Sequence, residues 1–589
     1  MLVSTALTAL LALTPTLSFA SSISPAAANK PNIVFIIVDD QDARQDSLGT
    51  MQRTQRLLVE EGTKFERFYA PISVCCPSRS SFLRAQCAHN TNITSVMPPW
   101  GGWTVFNEKG YNGHYLPSFL QQAGYSTRYT GKLMNGHTTG NVESLEAEGW
   151  TDDAFLLDPN TYDYWHPAFS MGKNGSGVEY RPGEYSTDLV AEKALRLLED
   201  AANEDKPFFV GIAPIAPHSH ISTVGHSDKT IPMLFDIPKP HPRHAHLFQN
   251  VTLDRSRHSH NPDVPSGASW VRQLDKLNET NVEYIEEFYR GRLQSLQAVD
   301  ELVEGVVDKL QELGVLDNTI IIYTADNGFE ANAGHRRQPG KTLPYEEDIL
   351  IPFVVRGPGV PRGKVDSTSV YSLADLGATV LHIAGAETDY EHDGAIVPLT
   401  DDLRRKVEED GGAKSFHLAE YWVEGVGEGK YGSGINHLNQ TYRAIRIVEG
   451  DKYDLSYAVW CTGEREIYDL KIDPDQMHNL ALVPHLESSP VARLYARLDA
   501  LLLVLKACVG EGCRDPWSVL FPHGGVKSLS DALSEKYDDY FEGLPRVRYS
   551  TCELGYFHAR EKPQWRDELA YSSAGKSFLS EGAQIVLGA

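Results

Sequence analysis

Cysteine is scarce in this sequence, with 7 residues among 589. So few cysteines in so long a chain exclude the class of small disulfide-rich scaffolds. Because seven is an odd number, at least one cysteine stays outside any intramolecular disulfide. Cys508 and Cys513 are close enough in sequence to bridge a short loop.

Basic residues are also in deficit: 54 Lys and Arg stand against 79 Asp and Glu, which gives a net charge of −25. Nucleic acids are bound by basic surfaces, so this balance argues against a nucleic-acid-binding protein and leaves room only for a local basic pocket. With 41% hydrophobic and 23% charged residues, the composition is that of an ordinary globular protein. The 27 Tyr, 21 Phe and 9 Trp argue against disorder.

Long hydrophobic runs are missing after the first 20 residues, and even residues 498–505 are typical of a helix that packs on a core. Residues 1–20 end in small residues at Ser18 and Ala20, which predicts a secretory signal peptide rather than the alternative, a short membrane anchor. Five glycosylation triplets agree with this prediction, at Asn92, Asn174, Asn250, Asn278 and Asn439. We therefore expect a secreted glycoprotein, extracellular or vacuolar, without stable membrane insertion.

Continuous apolar runs predict strands that are buried on both faces, at residues 32–38, 208–212, 319–324 and 352–355. Helical patterns lie between and around them, at residues 54–61, 115–123, 187–202 and 281–313. This alternation predicts an α/β sheet with helices on both faces. Two of the strands end in acidic pairs, Asp39-Asp40 and Asp326-Asn327. Ligands of such sheets bind beyond the carboxyl ends of the strands, so we expect the site there.

The pattern changes in two later parts of the chain. Residues 219–270 are rich in Pro and His, which predicts a long loop at the rim of the site; a metal-binding tract is the alternative. From about residue 386 the segments become mixed, and residues 443–448 and 464–470 predict strands of a smaller antiparallel unit. We expect a catalytic domain at 30–385, a smaller subdomain at 386–510 and an extension at 511–589.

The segment Val74-Cys75-Cys76-Pro77-Ser78-Arg79 resembles the Cys-x-Pro-Ser-Arg signature of sulfatases. Its doubled cysteine is similar to that of fungal arylsulfatases and N-acetylglucosamine-6-sulfatases. Further likeness over residues 31–480 includes Thr130-Gly-Lys132, Ala216-Pro-His218 and Thr324-Ala-Asp326. The resemblance implies an alkaline-phosphatase-like α/β fold: a large mixed, mostly parallel sheet flanked by helices, with a smaller C-terminal antiparallel-sheet subdomain.

The resemblance also implies that a formylglycine-generating enzyme oxidises Cys75 to formylglycine (3-oxoalanine). The aldehyde hydrate has two hydroxyls: one attacks sulfur to form a covalent sulfo-enzyme, and the other expels sulfate by regenerating the aldehyde. The alternatives for Cys75 are a structural disulfide or an inert buried thiol. Conversion of Cys75 leaves six cysteines, which removes the odd count.

Four side chains at the two strand ends offer only oxygen ligands, namely Asp39, Asp40, Asp326 and Asn327. Hard oxygen donors suit Ca²⁺ or Mg²⁺ better than zinc, and the resemblance favours one calcium ion held by these residues and the modified Cys75. Asp326 matches the carboxylate that takes the proton from the attacking hydroxyl. The alternative is that these residues are helix caps or solvated turn residues.

Arg79 lies four residues after Cys75, so both share one face if Cys75 begins a helix. There its guanidinium would hold the modified residue and offset the acidic ligands. By resemblance, Lys132 contacts the modified residue and sulfate, Lys341 binds sulfate, and His218 assists the leaving group. The alternatives are exposed lysines and a structural histidine. Three further residues are candidates for the rim of the substrate site, namely His335, Arg336 and Arg337.

Two positions depart from the sulfatase pattern. Many sulfatases have a histidine where this chain has Met134, so the role of that histidine is not carried over to this position. Asn135 and His137 are candidates to replace it. The usual Leu-Thr-Gly that follows the signature is Leu83-Arg84-Ala85 here, which puts packing and the efficiency of Cys75 conversion in question.

We therefore expect an arylsulfatase-type sulfuric ester hydrolase that acts on an aromatic or saccharide sulfate. One alternative is a phosphonate or phosphate ester hydrolase of the same superfamily, because metal and lysines suit both tetrahedral groups. The other is a non-catalytic secreted glycoprotein in which Cys75 stays unconverted.

Overall fold

The structure is a computed structural model that describes residues 30–172, 175–223, 235–432, 436–437 and 439–572. The expected signal peptide at residues 1–20 and the triplet at Asn174 lie outside the described residues.

An eight-stranded mixed sheet is the centre of the fold. Its strands, in chain order, are β1 (Asn32–Val38), β2 (Thr63–Phe65), β3 (Ser126–Gly131), β4 (Asp152–Phe155), β5 (Phe208–Ala213), β6 (Thr319–Ala325), β7 (Phe353–Arg356) and β8 (Lys364–Asp366). Their spatial order is β8-β2-β7-β6-β1-β5-β3-β4. Strands β6, β1, β5, β3 and β4 run parallel, and β7 is antiparallel to both β6 and β2.

The four predicted inner strands are confirmed as β1, β5, β6 and β7. Every residue of β1 is buried, and β1 pairs in parallel with β5 on one side and β6 on the other. A strand covered on both faces needs apolar side chains on both, which explains its continuous apolar run. The mostly parallel mixed sheet that the resemblance implied is the one found.

Helices flank this sheet, and three of the four predicted ones are found close to their expected bounds, as Leu116–Gln122, Ser186–Ala202 and Glu279–Glu312. The fourth, expected at 54–61, is different: a short α-helical turn continues as a π-helical turn at Gln55–Val59. The other α-helices are Gln52–Thr54, Cys75–Arg84, Ala88–Thr91, Gly102–Glu108, Ser269–Arg272, Glu346–Ile349, Leu373–Ala384, Asp401–Glu409, Gly429–Gly432, Ala492–Leu505, Glu511–Arg514, Pro516–Leu520, Leu529–Ala532 and Asp538–Gly543. Among the described residues, no helix is both long and apolar enough to cross a membrane.

A second, four-stranded sheet follows in the C-terminal part. Its antiparallel strands lie side by side in the order in which they occur in the chain: β9 (Phe416–Tyr421), β10 (Tyr442–Glu449), β11 (Tyr453–Trp460) and β12 (Arg465–Asp469). Strands β10 and β12 confirm the two predicted there. Short two-stranded ribbons complete the fold, at Phe68–Tyr69 with Tyr371–Ser372, Ala168–Ser170 with Val178–Tyr180, Gly425–Val426 with Asn436–His437, and Arg548–Tyr549 with Glu561–Lys562.

Residues beyond 510 pack on the second sheet, although their composition gave no structural signal. Trp517, Leu520 and Phe541 share one hydrophobic cluster with Ile445 and Val459 of that sheet. Burial of these large side chains is enough to order short helices that have little stability of their own.

Two disulfides are present among the described residues. Cys508–Cys513 closes the short loop anticipated from the sequence, and Cys461–Cys552 joins the end of β11 to the C-terminal segment. Cys75, Cys76 and Cys87 are free thiols. Conversion of Cys75 would leave six cysteines, as expected, of which four form the two disulfides and Cys76 and Cys87 are free.

Candidate active site

The two acidic pairs meet at the carboxyl ends of β1 and β6. Because β1 and β6 pair in register up to Val38 and Ala325, the residues that follow them are neighbours. The backbone N–H of Asp40 donates to Asp326 Oδ1 at 3.1 Å. Asp40 has a φ of 68°, a left-handed conformation that Asp tolerates better than most residues. The expected convergence at this edge of the sheet is what the fold produces.

Cys75 is the first residue of helix Cys75–Arg84 and points into the same place. Its Sγ lies 3.4 Å from Asp39 Oδ1, 4.0 Å from Asp40 Oδ1 and 3.4 Å from Lys341 Nζ. Burial, followed by the charge of Asp39, raises the pKa of the Cys75 thiol well above its usual value. A thiol held in its protonated form is a weak nucleophile. Unmodified Cys75 is therefore poorly suited to attack an ester.

Arg79 lies one turn further along this helix and is buried. Its Nε lies 2.8 Å from Asp326 Oδ2, and its Nη1 donates to the carbonyl oxygen of Lys132 at 2.5 Å. Nη2 is 3.7 Å from Asp39 Oδ2 and has no hydrogen-bond partner among the described residues. Arg79 thus balances the acidic residues, as expected from its spacing. One of its donors remains available for a ligand.

Two lysines complete the charge of the site. Lys132 Nζ lies 2.6 Å from Asp39 Oδ2, and Lys341 Nζ lies 2.5 and 2.6 Å from the two oxygens of Asp40. Burial alone would lower the pKa of both lysines, but the adjacent aspartates raise each pKa above its usual value. Both ammonium groups therefore stay protonated at any physiological pH. Both side chains are buried, which excludes the alternative of exposed lysines.

The first acidic pair is ionised for the complementary reason. Burial would raise the pKa of Asp39, but Lys132, His218 and Arg79 together lower it to about 2. Burial also opposes ionisation of Asp40, and Lys341 leads the groups that lower its pKa. A centre of paired, buried charges results, which is costly to desolvate and is typical of functional sites.

The donor set fits a hard divalent cation. Asn327 Nδ2 donates to Asp40 Oδ1 at 2.7 Å, while Asn327 Oδ1 is buried and accepts no hydrogen bond from a described residue. A buried carbonyl oxygen without a partner is rare, and a metal ion would satisfy it. Asp39 and Asp40 are fully buried and are contacted by side chains, which does not fit the alternative of solvated turn residues. Calcium takes such oxygen ligands.

His218 lies at the rim of this centre. Its Nε2 is 3.6 Å from Asp40 Oδ2, and its Nδ1 lies 2.8 Å from the carbonyl oxygen of Ser219. The carbonyl can only accept, so Nδ1 carries the hydrogen in this arrangement. The ring stacks on Tyr162 at 4.1 Å, and Lys132 Nζ lies 4.8 Å from the same tyrosine ring. Tyr162 belongs to no motif, so the sequence gave no signal for it.

Two other residues of the site also lacked a signal in the sequence. Arg292, from the middle of helix Glu279–Glu312, donates to the carbonyl oxygen of Asp40 at 2.6 Å. Glu428, from the loop after β9, lies with Oε1 3.7 Å from Lys341 Nζ. Both residues are far from Cys75 in the sequence, and tertiary folding brings them to the site.

Met134 and the two candidate replacements for the missing histidine differ in their contacts. Met134 is buried, with Sδ 3.9 Å from Ser80 Oγ. Asn135 donates to the hydroxyl of Tyr162 at 2.6 Å and so supports the ring beneath His218. His137 packs between Trp103 and Phe155, and burial lowers its pKa to about 3. His137 is therefore a neutral core residue and does not replace the missing histidine.

The three open rim residues are mainly structural. His335 stacks on Tyr345 at 4.4 Å, and burial lowers its pKa to about 4. Arg337 pairs with Asp348 at 2.8 Å. Arg336 donates to backbone carbonyls of the preceding loop. The two arginines nevertheless line a cavity of about 280 Å³ beside Lys341.

Arg84 is accommodated by the fold. Its guanidinium carbon lies 3.6 Å from the ring centre of Tyr390 and 4.1 Å from that of Tyr111. It also donates to the carbonyl oxygen of His114. The departure from the signature at this position is therefore matched by a cation–π arrangement at the far end of the helix from Cys75.

The Pro- and His-rich tract is mostly loop where it is described, as expected. Groups of three or more metal-ligating side chains occur in two places among the described residues, and neither includes a histidine of residues 235–270. One group is Cys87 with the Cys508–Cys513 disulfide, and the other contains Asp39, Asp40, Cys75 and His218. The alternative of a metal-binding tract has no support there.

Four glycosylation triplets lie in the described residues. Asn250, Asn278 and Asn439 are exposed and Asn92 is half-buried. Their use as glycosylation sites remains a prediction.

Comparisons of the sequence and of the fold with known proteins point to the same family. A family model described as Sulfatase matches residues 31–386. An arylsulfatase of Volvox carteri is 37% identical over 94% of this chain and 86% of its own length. Human N-acetylglucosamine-6-sulfatase is 29% identical over 83% of this chain and 87% of its own length. The solved structure of BT4656 with D-glucosamine-2-N,6-O-disulfate is 22% identical over 80% of this chain and 97% of its own, with a TM-score of 0.59.

Proposed function

The chain belongs to the sulfatase family, and from this premise we propose that it hydrolyses sulfate esters through a formylglycine made from Cys75, beside a calcium ion. Its arylsulfatase-type activity follows from its relatives. The observation that supports the finer proposal is the position of Cys75. Its Sγ lies within 4.0 Å of two aspartates and a lysine, in a buried centre where the thiol itself is a weak nucleophile.

Conversion of Cys75 would supply the missing nucleophile, because an aldehyde hydrate offers one hydroxyl for attack and a second for release of sulfate. Asp39, Asp40, Asp326 and Asn327 would hold calcium together with residue 75, and the ion would offset charge on the sulfuryl oxygens.

The other residues act by charge and position. Lys132 and Lys341 carry point charges that bind the sulfate group beside Cys75. Arg79 fixes Asp326 and retains one free donor towards Asp39. His218, held by Ser219 and Tyr162, presents Nε2 to the ester oxygen and assists the leaving group.

We further propose that the protein enters the secretory pathway, where a formylglycine-generating enzyme meets it. The disulfides Cys461–Cys552 and Cys508–Cys513 support this, because disulfides persist mainly in oxidising compartments. Residues 30–385 would then form the catalytic domain, residues 386–510 a smaller subdomain, and residues 511–589 an extension that packs on it where it is described.

The test begins with the tryptic peptide of residues 68–79 from protein secreted by a host that has the modifying enzyme. We expect a mass that carries –CHO in place of –CH₂SH at residue 75, while Cys76 remains alkylatable. An intact thiol or a disulfide at Cys75 would refute the mechanism and favour the non-catalytic glycoprotein.

The second arm compares 4-nitrophenyl sulfate with 4-nitrophenyl phosphate and phenyl phosphonate esters on the same preparation. We expect a higher kcat/KM for the sulfate. A preference for phosphate or phosphonate would instead identify the related hydrolase class. The variant Cys75→Ala is the control, because alanine suits a helix and the substitution removes the residue proposed to be converted.

A further inference from the structure

We propose that Glu428 is a specificity residue that accepts a hydrogen bond from a hydroxyl of the leaving group, so that the preferred substrate is a saccharide sulfate. This inference rests on the proposed sulfatase function and concerns the alcohol side of the ester.

Glu428 reaches the catalytic centre from the C-terminal part of the chain. It lies between strand Gly425–Val426 and helix Gly429–Gly432, and only 3% of its surface is exposed. Its backbone N–H donates to the carbonyl oxygen of Pro339 at 2.7 Å. This bond anchors the loop to the segment that carries Lys341, so the carboxylate has a defined position.

The carboxylate lies beside the lysine that would bind the sulfate group and beside the residue that follows His218. Oε1 is 3.7 Å from Lys341 Nζ, and Oε2 accepts a hydrogen bond from Ser219 Oγ. Ser219 directly follows His218 in the chain. Glu428 thus contacts Lys341 and the backbone segment of His218, and no contact joins it to Arg79 or Asp326 among the described residues.

Part of the hydrogen-bonding capacity of Glu428 has no donor in the part of the chain that the structure describes. Among the described residues, Ser219 is the one hydrogen-bond donor found for this carboxylate, and Lys341 Nζ is too far from Oε1 for a hydrogen bond. A carboxylate offers about four acceptor positions, and a buried charge is costly when it is poorly satisfied. A ligand hydroxyl would satisfy it, whereas an anionic or purely apolar group would not.

The space beside Lys341 suits a sugar ring. The cavity of about 280 Å³ is bounded by Gly340, Lys341 and Gly427, and Gly340 and Gly427 form a β-bridge next to Glu428. Trp270 and Tyr431 are among the residues that line it. Flat aromatic faces with a few polar groups are typical of sites for small polar ligands. A phenyl sulfate would fill such a space but has no hydroxyl to offer Glu428.

The experiment compares wild type with Glu428→Gln, which keeps the shape and an oxygen acceptor for Ser219 but removes the charge. The probes are glucose 6-sulfate and glucose 3-sulfate, which carry hydroxyls, and 4-nitrophenyl sulfate, which carries none. We expect kcat/KM for the better sugar sulfate to fall about 10- to 100-fold further than kcat/KM for 4-nitrophenyl sulfate, which reports any effect transmitted through Lys341. Glu424→Gln is the matched control, because it removes the same charge from a nearby position on the other side of strand Gly425–Val426.

Equal losses on both substrate types would show that Glu428 acts only through Lys341, and unchanged sugar sulfate hydrolysis would show that it does not contact the substrate; either result overturns the inference. Wild-type enzyme that hydrolyses 4-nitrophenyl sulfate but neither sugar sulfate also overturns it, with the proposed function intact. Wild-type enzyme that hydrolyses no sulfate ester overturns the proposed function itself.

Discussion

Lys341 and Asp40 form a buried ion pair across 301 residues of sequence, with Nζ at 2.5 and 2.6 Å from the two carboxylate oxygens. The pair links the end of β1 to the segment of Lys341, which lines the cavity. Asp40 also accepts from Asn327, so this one carboxylate joins the expected metal residues to the expected sulfate-binding lysine. Substitution of Lys341, Asp40 or Asn327 should therefore alter the hydrogen bonding of the other two residues.

Asn327→Ala should weaken calcium binding. The substitution removes the unpartnered Oδ1 and the hydrogen bond to Asp40, two contributions to the same site. We expect the calcium concentration that gives half-maximal thermal stabilisation to rise more than about tenfold, because bound ions stabilise the folded state by mass action. The measurement is the melting temperature of chelated protein titrated with calcium.

The control for this prediction is Asn332→Ala, which deletes an amide from the next segment of the same loop without touching Asp40. A calcium response of Asn327→Ala equal to that of wild type would remove Asn327 from the metal site.

Arg79→Met should strongly destabilise the protein. Asp326 then keeps its buried charge without the guanidinium at 2.8 Å. Loss of one partner of a buried pair costs about 3–5 kcal/mol. Urea unfolding followed by intrinsic fluorescence measures the change. The exposed Arg405–Asp402 pair provides a comparison, and Arg405→Met should leave stability nearly unchanged. Similar small effects for both variants would contradict the buried-pair interpretation.

Glu466 should make stability fall as pH rises towards neutrality. Burial raises the pKa of Glu466 from 4.5 to about 7, although three side chains, from Tyr345, Trp460 and Tyr468, donate hydrogen bonds to it. The folded protein therefore holds a proton that the unfolded chain loses above about pH 4.5. The stability contributed by the neutral form is complete below pH 4.5 and is lost as pH rises through about 7.

Glu466→Gln removes this dependence because the amide stays neutral. We expect the free energy of unfolding of the variant, relative to wild type, to rise by about 3 kcal/mol between pH 4.5 and pH 8. The exposed Glu409→Gln serves as control and should follow wild type. A constant difference between Glu466→Gln and wild type across this range would refute the buried neutral carboxyl.

Arg84→Met should lower stability while leaving catalysis intact. The substitution keeps an apolar stem between Tyr111 and Tyr390 but removes the cation. We expect a loss of about 2 kcal/mol in the free energy of unfolding, the size of a desolvated cation–π contact, and an unchanged kcat per converted Cys75. Arg84→Lys should recover part of the loss. A fall in kcat at equal conversion would mean that the far end of this helix does affect the centre.

The sequence predicted the parts of the site that follow short-range rules. Strands β1 and β6 are continuous apolar runs, parallel strands place their carboxyl ends at one edge, and so Asp39 and Asp326 had to meet. The spacing of Cys75 and Arg79 fitted a helix that the structure contains. Lys132, His218 and Lys341 were selected by resemblance to sulfatase motifs, and all three lie around Cys75 in the fold.

By itself, the sequence therefore determined the α/β sheet, its catalytic edge and the family, because hydrophobic periodicity and local motifs encode these features. Only the tertiary structure decided that Tyr162 supports His218, that Arg292 binds the backbone of Asp40, and that Glu428 arrives beside Lys341 from the C-terminal part. It also decided which cysteines pair and that residues beyond 510 share a core with the second sheet. These contacts join segments far apart in the chain, and their positions follow from packing of whole elements, which no local pattern records.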